Sequence, residues 1–160
     1  MCSSDLASYR DPELIPTIKD ALSNAKNPKR LRFGICWQHD ETESLDEFKD
    51  DSRFKIINIP YGFSKGTCWA RNMIQELYNG ETYYLQLDSH HRFTKGWDDT
   101  LIKMLKSLKK KGHKKPLLTA YLPGFEPQND PQGRVNECWS LEFDRYLPEG
   151  PIFKIGRAHV

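Results

Sequence analysis

Apolar residues fall along this chain in blocks of two different periods. Leu14, Ile18, Ala21, Leu22 and Ala25 recur at helical spacing behind Asp11-Pro12-Glu13, and Pro28 closes the segment. Asp11 can cap free N–H groups there, and Pro12 sits at a first-turn position where no N–H is missed. Leu31–Gln38 (LRFGICWQ) reads as a mostly buried strand, and Phe54–Ile59 (FKIINI) alternates like a second strand that stops at Pro60. The acidic segment between them, His39 to Asp51, is a polar loop or a short exposed helix. Gly62, Ser64 and Gly66 mark a loop, after which Thr67–Asn79 has a helical pattern with Trp69, Met73 and Leu77 on one side and Gly80 as its stop. Thr82–Leu87 (TYYLQL) is a strand running into Asp88-Ser89-His90-His91. Trp97–Lys110 carries Trp97, Leu101, Met104, Leu105 and Leu108 on one helical stripe. Pro116–Tyr121 is a further strand, Leu122–Asn136 a long loop of the kind that carries function, and Cys138–Phe143 a last, antiparallel or edge strand.

Strands alternating with helices predict an α/β fold with a mainly parallel sheet flanked by helices on both faces. Such sheets bind ligands at the carboxyl ends of their strands. Charge narrows the partners: 24 Lys+Arg against 22 Asp+Glu in 160 residues leave +2, which gives no electrostatic case for nucleic acid or anionic lipid. No stretch approaches the ~20 apolar residues of a membrane span. The four cysteines (Cys2, Cys36, Cys68, Cys138) form no CxxC pair and are too sparse for a disulfide framework, which points to a reducing, cytoplasmic setting. Seven lysines between Lys103 and Lys115 read as a solvated helix face, and Asp98 and Asp99 as first-turn acids complementing a helix dipole.

The two ends read as something other than natural coding sequence. Ile155-Gly156-Arg157-Ala158-His159-Val160 can be encoded by ATC GGA AGA GCA CAC GTC, whose reverse complement contains GTG TGC TCT TCC GAT. From a GTG start that yields Met1-Cys2-Ser3-Ser4-Asp5, and a following CT begins a Leu codon, as at Leu6. A sequencing-library adapter translated on both sides gives this relation. Residues 1–6 and 155–160 are therefore expected to be adapter-derived, and residues 7–154 to be the natural domain.

The sharpest chemistry lies at Asp88-Ser89-His90. Residues two apart in an extended segment point the same way, so a carboxylate and an imidazole can converge on one first-row divalent ion. Taken by itself the pattern is equally a turn residue beside an ordinary polar histidine. Its surroundings are more specific. Gly66-Thr67-Cys68-Trp69-Ala70-Arg71, the run from Gly80 through Asp88-Ser89-His90-His91-Arg92-Phe93, Gly96-Trp97-Asp98, and Ala7-Ser8-Tyr9-Arg10-Asp11-Pro12-Glu13-Leu14 together resemble the family 60 glycosyltransferases. These are N-acetylglucosaminyltransferases typified by a cytosolic enzyme that modifies hydroxyproline on a ubiquitin-ligase adaptor.

The resemblance implies a GT-A (Rossmann-like) nucleotide-sugar transferase fold, incomplete here, with a UDP-sugar donor, UDP-GlcNAc, and a divalent cation, Mn²⁺ or Mg²⁺. It implies transfer with retention to a hydroxyl of a protein or glycan acceptor. Asp88 and His90 would hold the metal, as in the similar D-x-H of polypeptide GalNAc-transferases, with Ser89 beside the donor and Asp88 catalytic through the ion. Arg71 would serve the diphosphate or donor sugar as a second catalytic residue. Trp69 would flank the donor or belong to the core. At the first strand–helix junction Ser8, Tyr9 and Arg10 sit at the nucleotide edge, Tyr9 able to stack on uracil and Arg10 to reach phosphate, while Gln38 can read the uracil edge. Glu126, Asp130, Glu137 and Asp144 are candidates for the acceptor hydroxyl. A relative using UDP-GalNAc or another UDP-sugar, and a non-catalytic nucleotide- or glycan-binding module of the same fold, are the alternatives.

Two departures from the family set expectations. Its first hydrophobic strand should precede Ala7, yet Cys2-Ser3-Ser4-Asp5-Leu6 stands there, and a polar substitute should bury poorly and leave ladder groups unpaired. The region that would carry a third metal ligand lies beyond the chain. The 160-residue chain is accordingly expected to be inactive by itself and marginally folded.

Overall fold

The structure is a computed structural model that describes residues 2–135, 137 and 139–157. It divides into two compact units, residues 1–110 and 111–160. In the first, strand β1 (Cys2–Tyr9) leads through helix α1 (Leu14–Asn24) to β2 (Leu31–His39), then β3 (Phe54–Pro60), helix α2 (Thr67–Gln75), β4 (Tyr83–Asp88) and helix α3 (Trp97–Lys110). The four strands form one parallel sheet in the order β3-β2-β1-β4. The order reverses beside β1, which puts a topological switch point between the carboxyl ends of β1 and β4.

Alternation along the strands assigns the helices to faces. Leu31, Phe33, Ile35 and Trp37 of β2 join Leu6, Leu87, the α1 residues Leu14, Ile18 and Ala21, and Trp97 in the larger core. The opposite face of β2 contributes Cys36 to a smaller cluster with Ala70 and Ile74 of α2, against which Trp69 packs half-buried. Thus α1 and the start of α3 cover one face and α2 the other. Gly34, on the α2 face, is where the helix comes closest: a Cβ there would meet Ile74 Cγ2 at 2.7 Å. Trp97 Nε1 donates to the Ala21 carbonyl at 2.9 Å, fixing α3 to α1. Asp98 lies in the first turn of α3, as read from sequence, and is in addition a buried brace, accepting the Lys26 and Asn27 N–H groups at 2.7 and 2.9 Å.

The expected first strand is corrected. Cys2–Tyr9 pairs with β2 from Leu31 to Gln38 and with β4 from Tyr83 to Asp88, so its ladder is satisfied, and Ser3, Ser4, Asp5 and Ser8 are all buried. Backbone pairing proceeds regardless of side-chain type; the polar cost falls on the hydroxyls, for Ser4 Oγ and Ser8 Oγ are buried without partners. Asp5 is 3% exposed, and burial raises its pKa despite hydrogen bonds from Tyr84 and Ser3.

Helix α2 ends at Gln75, short of Asn79, and its buried positions are Ala70 and Ile74, one residue along from the expected stripe. In the 39–51 segment a single 3₁₀ turn, Asp46–Phe48, buries Phe48.

The second unit is built around the antiparallel hairpin β5 (Trp139–Leu147) and β6 (Gly150–Arg157). Pro116–Tyr121 is not a strand: only Tyr121 makes a single bridge, to Trp139. An apolar run with no neighbour to pair with cannot extend a ladder. Within 122–136 a bridge joins Phe125 to Arg134, and Pro127–Asn129 forms a 3₁₀ turn. Asn136, Cys138, Met1 and residues 158–160 lie outside the described residues, while residues 155–157 belong to β6. Among the described residues no helix is long and apolar enough to cross a membrane.

Candidate active site at the carboxyl edge of the sheet

Asp88 is the last residue of β4, opposite Ala7 of β1, and its side chain is about half exposed. Strand parity directs it to the α2 face, where Arg71 Nη2 donates to its Oδ1 at 2.8 Å. The guanidinium nitrogen on the side-chain stem, Nε, is buried without a partner. Gly66 is the N-cap before α2, and its φ of +93° is one only glycine adopts without strain, so the loop turns sharply and delivers Arg71 one turn into the helix.

The strand stops at Asp88, and the period-two argument stops with it. Ser89 and His90 lie in a bend, and His90 turns to Asp11 rather than following Asp88 toward α2. Asp11 Oδ2 accepts the Ser89 hydroxyl at 2.5 Å and His90 Nδ1 at 2.8 Å, while its Oδ1 accepts the Glu13 N–H at 2.9 Å. Burial raises the Asp11 pKa, but the hydrogen bonds from Ser89, His90 and Glu13 outweigh it, and the carboxyl titrates below its ordinary value.

Helix α1 holds the rest of the same loop. Thr17, fully buried, donates to the Ser89 carbonyl at 2.9 Å and accepts the His91 N–H at 2.9 Å. Arg92 Nη2 pairs with Glu13 at 2.5 Å, and Asp20 accepts the Phe93 N–H at 2.5 Å. Positions 13, 17 and 20 are one helical stripe. Sequence reading missed this row. The signal available was three hydrogen-bonding residues repeating at helical spacing beside Leu14, Ile18 and Ala21, which a purely apolar periodicity ignores.

A cleft of about 270 Å³ opens beside this edge, lined by Ala7, Tyr9, Gln38, Ser64, Gly66 and Thr67. Tyr9 is 53% exposed and meets Tyr61 edge-on at 6.5 Å. Arg10 lies over the Tyr61 ring at 4.7 Å and pairs with Asp40 at 3.2 Å, so its charge already has a protein partner. Gln38 lines the cleft but is 2% exposed; its Nε2 donates to the Ser8 carbonyl at 2.9 Å and its Oε1 accepts the Ser64 hydroxyl at 2.5 Å. Its amide therefore pins the Ser64 loop. The Ser8 side chain is sealed in the core. Lys65 approaches the Trp69 ring at 5.9 Å. In the second unit, Asp130 pairs with Arg134 and Asp144 with Arg145.

The ligand types at the edge are those a hard-to-borderline divalent ion takes: the Asp88 carboxylate, its Oδ1 bonded to Arg71 on the α2 side, and the His90 imidazole, whose Nδ1 faces Asp11 and leaves Nε2. Among the described residues no group of three or more His, Cys, Asp or Glu gathers to form a complete cage. Two protein ligands with the remaining positions left to phosphate oxygens and water is a normal arrangement for an ion that comes with a nucleotide.

The parallel α/β sheet, with a cleft and a charged rim at its carboxyl edge, is Rossmann-like in its order of strands. The family model described as Glycosyltransferase (GlcNAc) matches residues 4–52 and 46–152, and the chain belongs to this family of GlcNAc-transferring glycosyltransferases. No curated protein matches the chain, and no solved structure does.

Proposed function

We propose that this chain carries the donor half of a GT-A glycosyltransferase of the family 60 type, taking N-acetylglucosamine from UDP-GlcNAc with retention, in a metal-dependent reaction, to a hydroxyl of a protein or glycan acceptor. The observation that carries this reading is the turn after β4, where Asp88, paired with Arg71, and His90, paired with Asp11, both reach solvent in a chain whose family transfers GlcNAc. Asp88 and His90 are the residues that would hold Mn²⁺ or Mg²⁺. Bound there, the ion would supply Lewis-acid neutralisation of the departing diphosphate.

The chain's own residues account for the remaining tasks. Arg71 supplies a fixed guanidinium suited to phosphate oxygens, now balanced by the Asp88 carboxylate. Tyr9, exposed at the mouth of the cleft, offers an aromatic face to a base. The braces from α1 hold the Ser89–Phe93 loop rigid, so charge is met by groups already in place.

Calorimetry with the 160-residue chain tests the proposal. UDP should bind more tightly with Mn²⁺ than without, and Asp88→Ala should remove that gain. UDP binding indifferent to metal would instead favour a non-catalytic nucleotide-binding module.

A further inference from the structure

We infer that Asp11 is a positioning residue for His90, fixing its ring and deciding which ring nitrogen is free to ligate. The inference rests on the metal reading above but makes its own demand on the apo protein. An ionised carboxylate has only acceptors, so the ring nitrogen facing Asp11 Oδ2 at 2.8 Å must carry the hydrogen. That nitrogen is Nδ1, which leaves the lone pair on Nε2. A carboxylate behind a ligating imidazole orients the ring and raises its basicity, and losing such a partner commonly costs about 10- to 100-fold in metal affinity.

Asp11 is built to hold still. Three donors converge on it, from Ser89, His90 and the Glu13 backbone, and its side chain is only 17% exposed, against 59% for His90. The residue before it, Arg10, takes a left-handed φ of +46° while its N–H donates to the Gln38 carbonyl at 2.8 Å. The chain is thereby bent so that Asp11 leaves β1 facing the β4 loop instead of continuing the strand. Because Ser89 shares the same Oδ2, one oxygen fixes both the bend and the ring that follows it. The N-cap of α1 is Glu13, and the local turn before it needs only the Oδ1 bond to the Glu13 N–H. The second oxygen, with its two further donors across 78 and 79 residues of sequence, is what that turn leaves unexplained.

Asp11→Asn separates these roles. It is nearly isosteric, and its single side-chain oxygen is still needed by the Glu13 N–H, so the amide NH₂ faces Ser89 and His90. Nδ1 must then accept, which moves the ring hydrogen to Nε2. Nitrogen-15 NMR of the 160-residue chain, at a pH where His90 is neutral, should show the Nδ1–H tautomer in the wild type and the Nε2–H tautomer in Asp11→Asn. Mn²⁺ affinity, read from the electron paramagnetic resonance of the free ion, should fall about 10- to 100-fold. A wild-type His90 protonated on Nε2 overturns the inference, and so does an Asp11→Asn variant with unchanged tautomer and affinity. His90→Ala keeps the two levels apart: if it leaves Mn²⁺ affinity unaltered, the metal reading fails while the tautomer still decides the role of Asp11.

Discussion

Two sets of polar groups, one partly and one fully buried, lie within a few residues of each other, and they are handled in opposite ways. The row on α1, Glu13, Thr17 and Asp20 with Asp11 ahead of it, meets the 89–93 loop with a partner at each named contact. The polar positions of β1 are buried more deeply, yet Ser4 Oγ and Ser8 Oγ have no partner and Asp5 is pushed toward its neutral form by burial. The α1 row converts polarity into a fixed loop geometry at the candidate site. The β1 residues occupy the central strand only because backbone pairing on both sides admits any side chain. Buried polarity stabilises where it is bonded and costs where it is not.

The largest effect should come from cutting the α1 row at its most buried charge. Arg92→Ala leaves Glu13 facing a vacated pocket, and urea unfolding should show a loss of about 3 kcal/mol. Thr17→Val keeps the shape but leaves the His91 N–H and the Ser89 carbonyl without this partner. A loss of about 2 kcal/mol and faster exchange of the His91 amide should follow.

In β1 the sign should invert. Asp5→Val should raise stability by about 1 kcal/mol at neutral pH. The Asp5 pKa is raised in the folded state, so what this carboxyl contributes is fully present below its unfolded value and is lost as pH rises through the folded one. The advantage of Val should therefore shrink as melts are repeated toward pH 4. The smallest change, Ser4→Ala, should gain about 0.5 kcal/mol by removing an unpartnered hydroxyl. If Ser4→Ala or Asp5→Val destabilises as much as Thr17→Val, the contrast between the two regions is wrong.

The same contrast explains what could be read from the chain. Strand β2 follows from its nearly continuous apolar run, β3 and β4 from alternation, and helix α3 from its helical stripe, although of that stripe only Trp97 is buried and Met104 is exposed. Strand β1 resists such reading because four of its buried residues are polar. Pro116–Tyr121 misleads in the opposite direction, being apolar enough for a strand but lacking a neighbour. At the site, the motifs single out Asp88 and Arg71 as chemistry-bearing residues, and the ion pair that joins them spans only 17 residues. The bonds of Asp11, Glu13, Thr17 and Asp20 span more than 70 residues, and nothing local in the chain announces them.

One hydrogen atom governs how far a cation can reach. Since Ile74 occupies the space where a side chain at Gly34 would begin, the height of α2 above the sheet is set by what residue 34 lacks. Arg71 sits three positions earlier on that same rod. A methyl group at 34 would jack the rod outward and draw the guanidinium off Asp88, altering the charged rim from inside the seam between helix and sheet.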